Sequence, residues 1–280
     1  MAGGSPMTGG SRRRECDGLR PQLIGLPYDA SSSFLRGSAA APPIVRAALW
    51  SPAGNVFTEL GADLSDLPDA GDLALGEAPA EAREQIEAGI GLVLANGFHP
   101  IALGGDHSIT YPILRAIATQ HPAIGILHID AHGDLYDEFE GDRYSHACPF
   151  ARIMEEGLAA RLVQVGIRTL TPHQREQVAK FGVDCIEMRH FAAGARPAID
   201  GPVYVSIDLD GIDPSCAPGV SHREPGGLSV RDVLTMIQSL PGPIVGADVV
   251  EFNPAADLGG VTAAVAAKVV REIAGAMLRS

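Results

Sequence analysis

The sequence predicts a three-layer α-β-α fold built on a mostly parallel, doubly wound sheet, and three observations predict it. From residue 21 onward, short runs of Val, Ile, Leu and Ala alternate with longer amphipathic segments, as strands and helices do around a parallel sheet. The runs are nearly continuous in apolar residues, as expected where both faces of a strand are buried. Acids and imidazoles follow four of these runs, at the carboxyl ends where open α/β sheets bind ligands.

Taken in order, residues 23–26 read as the first strand, and residues 80–96 as a helix closed by Asn96-Gly97. Strand 100–103 leads into helix 109–119, strand 124–129 into helix 149–156, and strand 162–165 into helix 172–181. Strand 203–207 precedes helix 230–239, opened by Ser229 with Asp232 three residues on, close to a capping box. Strand 244–249 and helix 262–278 complete the pattern. There is no internal repeat and no Pro/Gly linker long enough to divide the chain, so residues 20–280 read as one domain. Residues 1–19 are Gly- and Ser-rich with an Arg cluster and no apolar core of a secretory signal. They are expected to form a disordered arm, with an organelle transit peptide as the alternative.

The composition narrows the partners. The 280 residues carry 21 Lys and Arg against 34 Asp and Glu, a formal net charge of −13. That balance excludes a nucleic-acid backbone as partner, which needs a basic stripe, and suits a cationic small molecule or divalent metals. No apolar run approaches the roughly 18 residues that read as a membrane span. The cysteines, Cys16, Cys148, Cys185 and Cys216, form no CxxC pair. They read as reduced thiols, from which a cytoplasmic location is expected.

The chemistry gathers after four strands. GGDHS supplies Asp106 and His107; DAHGD supplies Asp130, His132 and Asp134; DLDGID supplies Asp208, Asp210 and Asp213; VVEFNP supplies Glu251. Asp130, His132 and Asp134 are spaced i, i+2, i+4 and would point one way if extended. So many carboxylates repel one another at pH 7 unless cations sit among them. Two divalent ions about 3.5–4 Å apart supply those charges and activate a shared water. Carboxylate-dominated ligation with one His per ion suits Mn²⁺ better than a structural zinc; nickel or cobalt remain compatible. A lone DxH is a weak sign, and GGDHS alone reads equally well as a helix cap. DLDGID is not an EF-hand loop, because Asp213 stands where that loop needs Gly. His99, His121, His128, His173 and His190 fit no ligand pattern and read as surface or satisfied interior residues. Cys148 stands two residues beyond His146, which singles it out among thiols otherwise read as packing.

In their order, GGDHS, DAHGDLYD, SHACPF, SIDLDGIDPSCAPG and VVEFNP resemble the ureohydrolase family of arginases and agmatinases, whose fold is the arginase-like form of the layered sheet. The stretch from Asp130 through Gln164 is similar to plant-type arginases and bacterial agmatinase-like proteins. The resemblance implies hydrolysis of a guanidino compound to urea and an amine. It implies one Mn²⁺ on His107, Asp130, Asp134 and Asp208 and a second on Asp130, His132, Asp208 and Asp210, with Asp130 and Asp208 bridging. It implies that Asp134 moves the proton of the attacking water to the departing amine, that Glu251 clamps the guanidinium through two hydrogen bonds, and that His146 is a proton shuttle on a loop at the pocket mouth. Gly211, Pro214 and Gly219 are expected only to shape the turn after their strand. A homo-oligomer, trimer or hexamer, is implied as well.

Substrate identity is read from two segments. Residues 141–146 place Asp142, Arg143 and Tyr144 before His146, with Asp142 and Tyr144 expected at the substrate. Residues 166–171 contain no acid to pair with an α-ammonium. Agmatine is therefore the first expectation and arginine, or another guanidino acid, the alternative. A single-zinc deacetylase of the same fold would leave His107, Asp134 and Asp210 without work, a dinuclear phosphoesterase would need motifs absent here, and a non-catalytic metal scaffold would not need His146 and Glu251.

Overall fold

The structure, a computed structural model, describes residues 19–76 and 78–279. The arm expected over residues 1–19 lies outside the described residues, Leu19 excepted. Eight parallel strands form one sheet: β1 (Pro21–Gly25), β2 (Asp69–Asp72), β3 (His99–Leu103), β4 (Gly125–Ile129), β5 (Arg161–Ile167), β6 (Asp184–Glu187), β7 (Val203–Asp208) and β8 (Ile244–Val250), in the order β2-β1-β3-β8-β7-β4-β5-β6. The six apolar runs are its six inner strands. Strands β2, DAGD, and β6, DCIE, lie at the two edges and are largely exposed or half-buried, so they lack the apolar run that marks a covered strand.

Eight α-helices cover the sheet: α1 (Ala41–Leu49), α2 (Pro79–Ala95), α3 (Thr110–Ala118), α4 (Pro149–Glu155), α5 (Pro172–Phe181), α6 (Met188–Ala192), α7 (Val230–Gln238) and α8 (Val261–Met277). Helix α1 escapes the sequence pattern because it opens on Pro42 and Pro43, which read as breakers yet sit in its first turn, where a missing N–H costs nothing. The sheet separates two apolar cores, and adjacent strand residues alternate between them. Leu23, Ile101, Leu127, Val205 and Ala247 pack with α1, α7 and α8. Ile24, Ala102, Ile126, Tyr204 and Val245 pack with α2, α3 and α4 on the other face. The capping box at Ser229 and Asp232 forms as expected.

Strands β3, β8, β7 and β4 are consecutive neighbours in the middle of the sheet. Leu103 pairs with Val249, Val249 with Ile207, and Ile207 with Ile129. This row of four apolar residues runs straight across the sheet. The four polar motifs leave it within two residues of one another's level on three strands and a few residues later on β3. Strand order, invisible in the sequence, therefore places all four motifs side by side.

Candidate metal centre and substrate cavity

Two carboxylate–imidazole groups form above this row and share one residue. His107 Nδ1 lies 3.2 Å from Asp130 Oδ2, 3.0 Å from Asp134 Oδ2 and 3.2 Å from Asp208 Oδ2. His132 Nδ1 lies 3.1 Å from Asp210 Oδ2 and 3.5 Å from Asp130 Oδ1. Asp130 thus turns one oxygen to each group, and both sets have the composition and closeness of metal sites. Asp208 joins the first group only; its Oδ1 accepts the Asp210 N–H at 2.8 Å. The chain is not extended past Asp130. It bends, with Asp134 at φ +46°, and the bend sends His132 and Asp134 to different groups. Gly211 permits the close approach beneath: a Cβ there would stand 2.8 Å from Asp130 N.

The proton inventory fits cations among these atoms. Ser206 Oγ donates its proton to Asp248 Oδ1 at 2.7 Å, so it accepts from His107 Nε2–H at 3.0 Å. In the neutral ring this assigns Nδ1 a bare lone pair, facing three carboxylate oxygens. Although those oxygens lie within 3.2 Å, none takes a hydrogen bond from Nδ1. Burial and the charges of Asp210 and Asp130 push the Asp208 carboxyl well above the usual range. Divalent ions between imidazole and carboxylates relieve both conflicts.

The cavity above has room for about 200 Å³, enough for a small linear molecule. Its wall includes Glu251 and His146 beside His132, Asp134, Asp208 and Asp210. Glu251, buried and at φ +61°, accepts the His107 N–H at 3.0 Å and a hydrogen bond from His146 Nδ1 at 2.9 Å, both on Oε1. No donor among the described residues reaches Oε2, so the expected two-oxygen clamp on a guanidinium has one oxygen left. Burial opposes the charged form of His146, but Glu251 outweighs it and raises the imidazole to about 9. In the neutral ring, with its proton on Nδ1 toward Glu251, His146 Nε2 accepts the Ser33 N–H at 3.2 Å and lies 2.9 Å from the Ser33 hydroxyl. Asp106 takes the Ser31 N–H at 3.0 Å and caps the turn at Ser108, which anchors the Ser31–Ser33 loop and makes it a support, not a ligand.

Two expected substrate residues are not brought to the cavity. Asp142 Oδ1 accepts the Tyr144 N–H at 2.7 Å, and the Tyr144 ring packs on Tyr111 and under the Arg83 guanidinium. Arg143 pairs outward with Asp137 and Glu155. Burial pushes the Cys148 thiol up to about 12, so it is no nucleophile at neutral pH. Ser33, Phe139, Gln174 and His222, which line the cavity with Tyr136, Thr169 and Thr171, stand in none of the sequence motifs, and neither does His128, whose Nε2 lies 2.7 Å from Asp130 Oδ2. His128 lies on β4 two residues before Asp130, which follows the strand's last residue, so strand periodicity carried one step further places both on one face. No comparable signal marks His222, which reaches the rim from a loop.

The match to known proteins agrees with this centre. The Arginase family matches residues 20–275. The chain belongs to the arginase family. The arginase of Medicago truncatula, named mitochondrial, is 49% identical over 275 residues, covering 91% of this chain and 81% of that protein. A solved arginase from the same plant superposes with a TM-score of 0.89 at 48% identity, covering 93% of this chain and 88% of that one. A guanidinopropionase of Pseudomonas aeruginosa is 36% identical over 273 residues, 91% of this chain and 86% of that protein. The chain is thus a hydrolase of guanidino compounds with the arginase fold. The comparisons correct one expectation, the cytoplasmic location: plant arginases at 46–49% identity are named mitochondrial or chloroplastic/mitochondrial. Reduced thiols do not separate the cytosol from an organelle matrix, so composition never carried that choice.

Proposed function

We propose that this arginase-family hydrolase converts L-arginine and water to L-ornithine and urea, with two Mn²⁺ ions held by His107, Asp130, Asp134 and Asp208 and by Asp130, His132 and Asp210. The observation that carries the reading is the sharing of Asp130 between two imidazole–carboxylate groups at the floor of a cavity walled by Glu251. The ions supply charge neutralisation and a water acidic enough to attack at neutral pH. Glu251 Oε2 accepts a guanidinium N–H and so turns the planar carbon toward the floor. Asp134, on the cavity wall, takes the proton of the attacking water and returns it to the leaving nitrogen. His146, bonded to Glu251 through Nδ1, exchanges protons at the mouth.

The far end of the cavity favours arginine over agmatine, reversing the expectation drawn from the sequence. Beyond the candidate ligands, Glu251 and His146, the described residues that line the cavity supply hydroxyls, an amide, aromatic rings, Ala147 and His222, with no carboxylate. A second ammonium, as in agmatine, finds no carboxylate among those lining residues, and the Glu224 side chain, 4.0 Å from His132 Nε2, is 38% exposed to solvent that screens it. A carboxylate would meet the Thr169 hydroxyl and the Gln174 amide nitrogen at the start of α5, where the helix dipole favours negative charge, while the Thr171 N–H and hydroxyl are given to Gln174 Oε1. The 46–49% identity to plant arginases supports the same choice. A urea-release panel over arginine, agmatine, 4-guanidinobutyrate and 3-guanidinopropionate with added Mn²⁺ tests it. Arginine is expected to show the highest kcat/KM, and a higher value for agmatine overturns the assignment. The same family membership supports one domain over residues 20–280 and assembly as trimers or hexamers, readable from the mass in light scattering.

A further inference from the structure

We infer that His128 is a positioning residue for Asp130, its own ring oriented by Gln164. The inference rests on the proposed metal role of Asp130. A backbone carbonyl can only accept a hydrogen bond. The Gly133 carbonyl lies 2.6 Å from Gln164 Nε2, so that atom is the amide nitrogen and not its oxygen. The same NH₂ lies 3.0 Å from His128 Nδ1, so its second hydrogen is donated there and Nδ1 is an acceptor. The proton of the neutral ring is then on Nε2, and Nε2–H donates to Asp130 Oδ2 at 2.7 Å. His107, His128 and Asp130 are close enough to act as a ligand set by composition, but with both its nitrogens committed His128 has no lone pair to offer an ion. It acts instead through the carboxylate. It takes up one acceptor direction of the oxygen that lies 3.2 Å from His107 Nδ1, which fixes the rotation of the residue shared by both groups.

The fold makes this arrangement rigid. His128 pairs in register with Gln164 on β5 and with Ser206 on β7, and Ser206 pairs with Asp248 on β8. A buried polar row, Gln164–His128–Ser206–Asp248, therefore crosses the sheet beside the carboxyl-end motifs, all four at 0% exposure. One half of it orients Asp130 and the other half, through Ser206, orients His107. Phe150 stacks on the His128 ring at 3.9 Å between centroids and holds its plane. Partners of this kind, one step behind a metal ligand, are commonly worth 10- to 100-fold in metal affinity.

The test measures Mn²⁺ binding to the metal-stripped full-length protein by calorimetry, without substrate, alongside the thermal midpoint of the metal-free form. His128→Phe keeps an aromatic ring against Phe150 and removes the donor; affinity is expected to fall about 10- to 100-fold. His128→Gln restores an N–H at similar reach and is expected to recover most of the loss. Gln164→Met, which leaves His128 untouched, removes the group that orients its ring and is expected to weaken binding in the same direction, so the test survives misfolding of His128→Phe. Wild-type affinity in His128→Phe, or equal losses in the Phe and Gln variants, overturns the positioning role in favour of packing. A wild-type protein that binds no divalent ion overturns the metal reading as well, which separates failure of that reading from failure of this inference.

Discussion

Glu251 concentrates the chemistry of single residues in this site. Its backbone sits in the left-handed region, as does that of Asp134, and such non-glycine strain costs of order 1–3 kcal/mol unless the surroundings impose it. Here they do: Glu251 Oε1 ties the His107 backbone to the His146 ring. Glu251→Gln keeps the shape but removes the charge proposed to hold the guanidinium. Hydrogen bonds to charged groups contribute about 1.5–3 kcal/mol, so kcat/KM for arginine is expected to fall about 10- to 100-fold. The bound metal content, read by elemental analysis, stays at the wild-type value. The candidate metal-binding residues were legible at this scale, because their spacing after the strand runs is local information. His222, Ser33 and Gln174 were not, because each reaches the cavity from a segment whose position depends on the rest of the fold.

Elements were legible where burial had imposed a period on the sequence. Strands β3, β4, β7 and β8 read as apolar runs because both faces are covered, whereas β2 and β6 at the edges carried no such mark. Helix α8 shows how an element's start is fixed by a residue outside it. Asp257 accepts from the Leu258 and Thr262 N–H groups at 2.8 and 3.0 Å and from Ala263 N–H at 3.2 Å, satisfying donors that the first turn leaves open. Asp257→Ala is expected to cost about 1 kcal/mol in denaturant unfolding at pH 7. Burial of Asp257 opposes its charge, but these hydrogen bonds hold its carboxyl below the usual value. A lowered folded-state pKa contributes stability that is complete above the unfolded value, about 3.9, and lost as pH falls through the folded one. The gap between wild type and variant should therefore narrow below about pH 4, measured as the difference in thermal midpoint.

At the scale of the whole molecule, the centre depends on the stiffness of the row beneath it. Ile207 is fully buried between Ile129 and Val249 and directly precedes Asp208. Ile207→Ala should lower unfolding free energy by about 2–5 kcal/mol, whereas Leu258→Ala, at a residue 67% exposed, should change it by no more than about 0.5 kcal/mol; chemical denaturation compares the two. Removing the metal tests a second dependence, since ions that bind the folded chain stabilise it by mass action. Chelation should lower the thermal midpoint, and adding back Mn²⁺ should restore it. An unchanged midpoint would contradict the charge-neutralising role assigned to the ions. Among the described residues no helix is long and apolar enough to cross a membrane.

The sequence by itself determined that the chain builds a parallel layered sheet and that acids and imidazoles leave its strands at one end, because burial periodicity and motif spacing are written along the chain. Tertiary structure decided the strand order that sets β3, β8, β7 and β4 side by side, and with it which oxygen faces which imidazole. It kept Asp142 and Tyr144 out of the cavity wall, with Asp142 in an adjoining hollow beside Ser33 and Phe139, and left no carboxylate among the described lining residues at its outer end, which moved the substrate assignment from agmatine to arginine. The reason is physical: spacing fixes which residues a strand delivers, but contacts between segments far apart in sequence fix where those residues meet.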